Sequence, residues 1–440
     1  MKQAVQKQKL DMLNGPLWNK IPQFALPVAA TAILEQLFNA SDIAVVGNFS
    51  GAASTIAVAA VGANSFVISL VVNFFIGIAL GANVVIANAI GREDTDAVHR
   101  AVHTAVVVAV LGGALVTVLG ELVAGPALRA LNVPAEVLPY ALLYLRIYLL
   151  GVPVILLYNF EAAIFRSVGD TRVPLQTLAF SGVLNVLLNL FFVIVLHMTV
   201  NGVATATVLS NAISSVLLFV RLRRSLQKIL QIGVPAGIQS AVFSISNIVI
   251  QSAINSLGTV VMAASSAAFN IEVVAYDVLN SFSQACTTFV GQNYGAGKLD
   301  RCRKTLVLCL VEDALASGIA ILLVLGSGHF LLSLFNRDPE VIALGYTRLM
   351  TVFTAYFFSM LYEVMSGYLR GFGISLVPAL LTMLGVCGVR ILWIATAFPR
   401  SRTFQTILLA YPLSLAATAV LILLALLIYH PSRRTKGETV

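Results

Sequence analysis

Two carboxylates lie inside the first long apolar stretch of the chain, Glu35 and Asp42 in ILEQLFNASD. Seven residues separate them, almost two whole helical turns, so both side chains would share one face of a helix. Acidic groups within apolar helices are costly and tend to be kept for a task such as binding a proton or cation. Two alternatives stay open: Asp42 caps the helix at an interface, and Glu35 pairs with a neighbouring amide or hydroxyl.

Amides and hydroxyls recur at similar depth further along the chain. Asn185 and Asn189 stand four residues apart and would stack on one helix face, and Thr207 follows in NGVATATV. Their oxygens, with a carboxylate, are ligands of the kind that hard cations prefer. Hydrogen bonding between helices explains the same pattern equally well.

Other polar residues could be accessory or substrate-binding groups. The set comprises Asn64 and Asn73 in the second apolar stretch, and Glu272, Asp277 and Gln284 in the eighth. Proline removes a backbone hydrogen bond and lets a helix bend. Pro27 and Pro235 are therefore candidate hinges.

No enzyme motif accompanies these residues. His99 and His103, the only histidines four residues apart, lack the glutamate of a zinc-protease motif. The sequence contains neither a phosphate-binding glycine loop with its lysine nor a nucleophile motif. The four cysteines have no metal-ligand spacing and are expected to be free thiols. We therefore expect no catalysis and no cofactor other than a coupling ion.

The elements that position these groups are membrane helices. Hydrophobic residues make up 59% of the 440 residues, charged residues only 10%, and the mean hydropathy is +0.93, far from the balance of soluble domains. Twelve stretches have the length needed to cross a bilayer. They are predicted at 20–46, 55–83, 95–123, 135–160, 172–197, 201–221, 229–256, 263–290, 304–326, 340–367, 375–398 and 404–429.

The chain repeats itself. The pattern Arg-x-x-Gly-x-x-x-x-Pro occurs at 166–174 and again at 370–378, and Pro27 has a counterpart in Pro235. Because six spans is an even number, both copies would start on the same side of the membrane, as parallel repeats. We predict an all-α polytopic membrane protein with two six-helix lobes, residues 1–222 and 223–440, around a central cleft.

The net charge of +8 reflects orientation in the membrane rather than nucleic-acid binding. Most of the 27 Lys and Arg residues fall in the N-terminal tail, the even-numbered connectors and the C-terminal tail. This bias predicts that both termini lie in the cytoplasm. The polar N-terminus and the long first apolar run also argue against a cleavable signal peptide.

The sequence resembles the multidrug and toxic compound extrusion (MATE) transporters, in particular their bacterial efflux branch. The resemblance is carried by FALPVAATAILEQLFNASDIAVVG, YNFEAAIFRSVGDTRVPLQTL, SGVLNVLLNLFFVIV with NGVATATV, and FVGQNYGAGKLDRCRK. It implies a monomeric protein of the bacterial cytoplasmic membrane that exports amphipathic, often cationic compounds against inward Na+ or H+.

The resemblance also assigns residues. Asp42 matches the acid of the first helix, Asn185 the fifth-helix Asn of the cation site, and Thr207 the sixth-helix Thr. Asn189 stands where the family commonly has Asp, which puts the usual stoichiometry and ion preference in doubt. Na+ is accordingly a candidate ligand of Asp42, Asn185, Asn189 and Thr207. Neutralising Asp42 would change the packing of a first helix hinged near Pro27.

A rival interpretation is a flippase of the same superfamily that moves a lipid-linked oligosaccharide. Such a protein would need a more basic cavity for a pyrophosphate, whereas arginines are few within the predicted spans.

Overall fold

The computed structural model describes residues 10–51, 54–130, 133–222 and 246–431. Every regular element in these ranges is a helix. The first half contains α1 (Lys20–Phe49), α2 (Ser54–Gly91), α3 (Thr95–Ala130), α4 (Leu138–Ser167), α5 (Arg172–Leu190) and α6 (Val200–Leu222). A wider π-helical turn, Phe191–Val195, ends α5.

The second half continues with α7, described over residues 246–255. It is followed by α8 (Thr259–Gly295), α9 (Leu299–Ser333), α10 (Pro339–Thr354), α11 (Tyr356–Gly371), α12 (Leu376–Thr382), α13 (Val389–Thr396), α14 (Phe404–Leu408) and α15 (Ala410–Tyr429). A π-helical segment, Met383–Gly388, joins α12 to α13.

Within the described ranges, ten helical segments are long and apolar enough to cross a membrane, and α10 with α11 form an eleventh, bent by 45°. These segments coincide with the predicted spans, and the all-α polytopic class is confirmed. The remaining prediction, 229–256, lies outside the described residues apart from α7. Several helices run past their predicted ends: α2 reaches Gly91 and α3 reaches Ala130, because a helix can continue beyond the roughly 20 residues that cross the bilayer.

Two compact units divide the described chain. Unit 1 contains residues 30–86 and 94–222, and unit 2 contains residues 10–29, 87–93 and 246–431, within the described ranges. Helix α1 therefore belongs to unit 2 up to Ala29 and to unit 1 from Ala30, and Pro27 lies inside it just before the change. The predicted lobe boundary at 222/223 borders a segment outside the described residues and stays a prediction.

Small residues allow close helix packing in each unit. A Cβ at Gly113 of α3 would lie 2.5 Å from the Pro153 Cα of α4 in unit 1. A Cβ at Gly367 of α11 would lie 2.5 Å from the Ser283 carbonyl oxygen of α8 in unit 2. Membrane helices gain stability from such close backbone approach because lipid supplies no hydrophobic drive between them.

The third helix of each unit exposes the most apolar surface. Only 11% of the apolar core of α3 and 17% of that of α9 is buried inside the protein. Leu122 on α3 and Leu322 on α9 are both 71% exposed. Leucine rows left uncovered in this way suit contact with lipid tails.

Candidate functional site

Helix α1 places Glu35 and Asp42 on the wall of one cavity in unit 1, as their spacing predicts. The cavity has a volume of about 150 Å³. It is lined by Glu35, Phe38, Asn39, Asp42, Val72, Ile76, Tyr148, Ile155, Tyr158, Asn159, Leu178, Ser181, Gly182, Asn185, Thr207, Ser210 and Asn211. Polar groups thus face aromatic and aliphatic surface across a small space, which is typical of a site for small molecules.

Asp42 is the centre of a hydrogen-bonded cluster. Asn189 Nδ2 donates to Asp42 Oδ1 over 2.6 Å and reaches Asn185 Oδ1 at 3.2 Å. Asn185 Nδ2 in turn donates to Thr207 Oγ1 over 3.4 Å. Asp42 and Asn185 are 5% and 4% exposed, and Asn189 is fully buried. The structure therefore brings together all four residues predicted for ion coupling.

The Thr207 hydroxyl lies between the Asp42 carboxylate and the backbone of α6. Its oxygen lies 3.0 Å from Asp42 Oδ2 and 3.0 Å from the Val203 carbonyl oxygen. A hydroxyl carries one proton, so it donates to one of these acceptors at a time. When the hydroxyl proton points to Val203, the lone pairs of the Thr207 oxygen are available to bind a positive group at Asp42.

The donor set suits a proton or a hard monovalent cation. Asp42 contributes two oxygens, Asn185 and Thr207 one each, and the buried Asn189 Oδ1 has no hydrogen-bond partner within the described residues. These are oxygen ligands without sulfur or imidazole, as Na+ requires and transition metals do not prefer. No group of three His, Cys, Asp or Glu side chains arranged for a metal occurs in the described part of the chain.

Glycine shapes the cavity wall. A Cβ at Gly182 of α5 would lie within overlap distance of the Phe38 ring of α1. Glycine at position 182 therefore leaves room for the Phe38 ring of α1 against α5.

The accessory candidates of the second helix do not line this cavity. Asn64 is buried and donates to the carbonyl oxygens of Ala60 and, over 2.9 Å, of Ala141 on α4. It therefore ties α2 to α4, as the helix-packing alternative proposes. Asn73 is half-buried on the same helix.

The acidic candidates of the eighth span lie in unit 2 on α8. Glu272 is buried and accepts from Arg348 Nε at 2.7 Å and Arg348 Nη2 at 2.8 Å. This bidentate ion pair gives Glu272 a structural partner in Arg348, 76 residues away in sequence. Asp277 and Gln284 are half-buried on the same helix.

Sequence reasoning did not single out several polar groups. Tyr148, Tyr158 and Asn159 of α4 line the cavity although they received no role. In unit 2, Asp313 is completely buried in the middle of α9. An acid in an apolar span is a signal that the sequence contained, in LVEDALA.

Of the two candidate hinge prolines, one lies within the described residues and the other does not. Pro27 lies inside α1. Pro235 lies outside the described residues. The four cysteines are buried thiols rather than disulfides.

Known proteins share both sequence and fold with this chain. A family model described as MatE matches residues 27–191 and again residues 235–395. The two matches begin at Pro27 and Pro235, the positions paired by the internal repeat. The "Probable multidrug resistance protein YoeA" of Bacillus subtilis is 25% identical over 401 residues, covering 85% of this chain and 86% of that protein.

Two solved structures share the fold at low identity. "MATE in the straight conformation" superposes with a TM-score of 0.88 at 18% identity, covering 97% of this chain and 99% of the other. "MATE in the bent conformation" gives 0.83 at 18% identity, covering 96% and 98%.

Proposed function

The chain belongs to the MatE family of multidrug and toxic compound extrusion transporters, and from this premise we propose that it is a secondary antiporter. It exports amphipathic, often cationic organic compounds in exchange for inward Na+ or H+. The observation that carries the proposal is the Asp42 cluster, which opens onto a cavity large enough for a small ring system. The protein acts as a monomer in the bacterial cytoplasmic membrane, with both termini in the cytoplasm, and catalyses no reaction.

Competition for Asp42 is the basis of exchange. A carboxylate buried among amides and apolar groups is poorly solvated, so a positive partner stabilises it. A proton, Na+ or the cationic end of a substrate can each supply that charge, but the cluster accommodates one at a time. Binding of the ion therefore favours release of the substrate, and the reverse.

Helix α1 converts this competition into movement. Residues up to Ala29 belong to unit 2, whereas Asp42 lies in the part that belongs to unit 1. A change in how Asp42 bonds to α5 and α6 would alter the bend at Pro27, giving an element with two states biased by the ion. Straight and bent conformations of solved MATE structures support this proposal.

The cavity lining supports a broad range of substrates. Phe38, Tyr148 and Tyr158 offer aromatic faces, while Asn39 and Asn211 offer amides that can turn. Aromatic rings attract cations through their faces, and mixed surfaces of this kind adapt to different shapes. No Lys or Arg is among the described residues that line this cavity, which disfavours the lipid-linked oligosaccharide alternative with its anionic pyrophosphate.

The test is transport by Asp42→Asn in membrane vesicles with Na+ and pH gradients imposed separately. Asparagine keeps the size of the side chain but removes the charge that ions and substrate share. We expect normal insertion and loss of ion-driven substrate accumulation to the level of vesicles without the transporter. Asp96→Asn, an exposed acid at the start of α3, is the control and should transport normally. Full ion-driven efflux by Asp42→Asn would refute the proposal, and the gradient that drives the parent protein identifies the coupling ion.

A further inference from the structure

A second set of buried polar side chains lies in unit 2 and includes none of the residues of the Asp42 cluster. Its central member is Asp313, which is 0% exposed in the middle of the 35-residue helix α9. Ser317, one turn later, donates to Asp313 Oδ1 over 2.6 Å. Asp313 Oδ2 has no hydrogen-bond partner within the described residues.

Glu363 of α11 is the carboxylate that faces Asp313 closely enough for electrostatic interaction. Tyr276 of α8 donates to Glu363 Oε1 over 3.0 Å. Arg370, two turns further along α11, lies 3.5 Å from Glu363 Oε2. Glu363 therefore accepts a hydrogen bond from a tyrosine hydroxyl and pairs with an arginine. Asp313 accepts a single hydrogen bond, from the Ser317 hydroxyl.

The remaining titratable neighbours add no positive charge. On α9 itself, Glu312 precedes Asp313 and is half-buried, and Cys309 lies one turn earlier. Cys286 of α8 faces Cys309. Arg370 is the cation of this set, and its Nε is buried without a hydrogen-bond partner in the described part of the chain. With Asp313 and Glu363 both ionised, this set would carry two negative charges for one positive charge, and that guanidinium lies against Glu363.

Such an excess negative charge is unfavourable where neither water nor a second cation reaches it. A hard metal ion is a poor remedy, because such ions take about six oxygens and Asp313 with Ser317 supplies three. A proton on Asp313 removes the charge without the additional oxygen ligands that a metal ion requires, and it leaves Ser317 bonded to the other oxygen.

We propose that Asp313 is a second proton-binding carboxyl of this transporter, located in unit 2 and separate from the Asp42 cluster of unit 1. The proton resides on Oδ2, with Oδ1 held by Ser317. Loading adds one proton to the carboxylate and unloading returns it to water, without any other bond being made or broken. The role of this proton in driving export rests on the proposed antiport function, whereas its presence on Asp313 does not.

Infrared spectroscopy tests the binding step directly. The full-length protein in liposomes is compared in H₂O and D₂O, in an Asp42→Asn background that removes the other coupling carboxyl. We expect a protonated-carboxyl C=O band at neutral pH that is lost in Asp313→Asn and shifts in Ser317→Ala. Glu312→Gln, which removes the adjacent half-buried acid, should keep the band. A band that is absent before the Asp313 change, or unaltered by it, overturns the proposal.

Transport measurements test the coupling step. With Asp42 intact and a pH gradient imposed, Asp313→Asn should lose one proton per substrate exported, while Glu312→Gln keeps the parental ratio. An unchanged ratio in Asp313→Asn would overturn the coupling role. If the parent protein shows no gradient-driven export while the infrared band responds as expected, the antiport proposal fails and proton binding at Asp313 stands.

Discussion

At the scale of single residues, Glu272 of unit 2 has an ion-pair partner, whereas Asp42 of unit 1 is hydrogen-bonded by neutral side chains. Arg348 bonds to both oxygens of Glu272, to Ser265 Oγ at 2.8 Å and to Tyr411 at 3.2 Å. Its guanidinium also lies 5.1 Å from the centre of the Tyr411 ring. A buried charge so fully bonded is held in place, whereas Asp42 is bonded by the neutral groups of Asn189 and Thr207.

We predict that Glu272→Gln lowers the free energy of unfolding by about 3–5 kcal/mol, because Arg348 is left as an uncompensated buried charge. The measurement is thermal or denaturant unfolding of the detergent-solubilised protein. Glu272→Gln combined with Arg348→Met should recover most of the loss, since an apolar side chain of similar length replaces the stranded charge.

The matched control is an exposed ion pair in unit 1. Arg146 Nε lies 3.4 Å from Glu121 Oε2, with side chains 53% and 31% exposed. Glu121 lies near the end of the predicted span 95–123, where exposed pairs contribute about 0–1 kcal/mol, so Glu121→Gln should change stability little. Equal effects of Glu121→Gln and Glu272→Gln would show that burial does not determine the strength of the Glu272–Arg348 pair.

At the scale of elements, the N-terminal segment anchors the first part of α1 within unit 2. Arg301 of α9 donates to the carbonyl oxygens of Met12, Asn14 and Gly15 at 2.8–3.3 Å. Lys298 Nζ donates to the Leu13 carbonyl oxygen over 2.9 Å. Asn293 Nδ2 donates to the carbonyl oxygen of Met12, and Met12 is only 1% exposed. The motif FVGQNYGAGKLDRCRK thus binds the segment that leads into α1.

We predict that Arg301→Ala releases this segment and weakens transport without abolishing it. One end of a hinged helix must be held if bending at Pro27 is to move the other end. Hydrogen exchange of residues 10–17 should become at least several-fold faster, and the export rate should fall.

Arg303→Ala is the control, since Arg303 pairs with the 92% exposed Asp300 on its own helix. It should alter neither exchange nor export. Unchanged protection of residues 10–17 in Arg301→Ala would remove the anchor from the mechanism.

The same elements show what sequence alone can predict. The length of the apolar stretches predicted the spans. Helical spacing predicted that Glu35 shares a helix face with Asp42, and Asn185 with Asn189, because both signals are local. The bond from Asn189 to Asp42 joins residues 147 apart, so only the resemblance to a family linked them. The Glu272–Arg348 pair depends on tertiary packing, for which the sequence has no local signal, whereas the acid within the apolar stretch LVEDALA is a local signal for Asp313. The bend between α10 and α11 was missed because no proline marks it.

At the scale of the whole molecule, a repeated scaffold carries two different chemistries. The family model matches both halves, and α3 and α9 expose similar apolar surfaces. Unit 1 nevertheless has a cavity with a cluster of one acid and three neutral oxygen donors. Unit 2 has the buried Glu272–Arg348 ion pair and the buried Asp313. Duplication therefore preserved the helix framework, which apolar length determines, while the few polar positions diverged.

Orientation in the membrane is a property of the whole chain, because it follows from the distribution of Lys and Arg among all the connectors. The distribution of Lys and Arg predicts that the connector between α2 and α3 faces the cytoplasm and that the connector between α13 and α14 faces outside. Thr95 and Ser401 are exposed hydroxyl residues at these two places. All four native cysteines are buried, so an introduced thiol can be read against a low background.

We predict that Ser401→Cys reacts with a membrane-impermeant maleimide in intact cells, whereas Thr95→Cys reacts only after permeabilisation. The parent protein should react in neither condition, since its thiols are packed within the helices. Both substitutions replace one small exposed polar group by another, so the difference in labelling reports the side of the membrane rather than the fold. Labelling of Thr95→Cys alone in intact cells would place the termini outside and reverse the direction of transport proposed here.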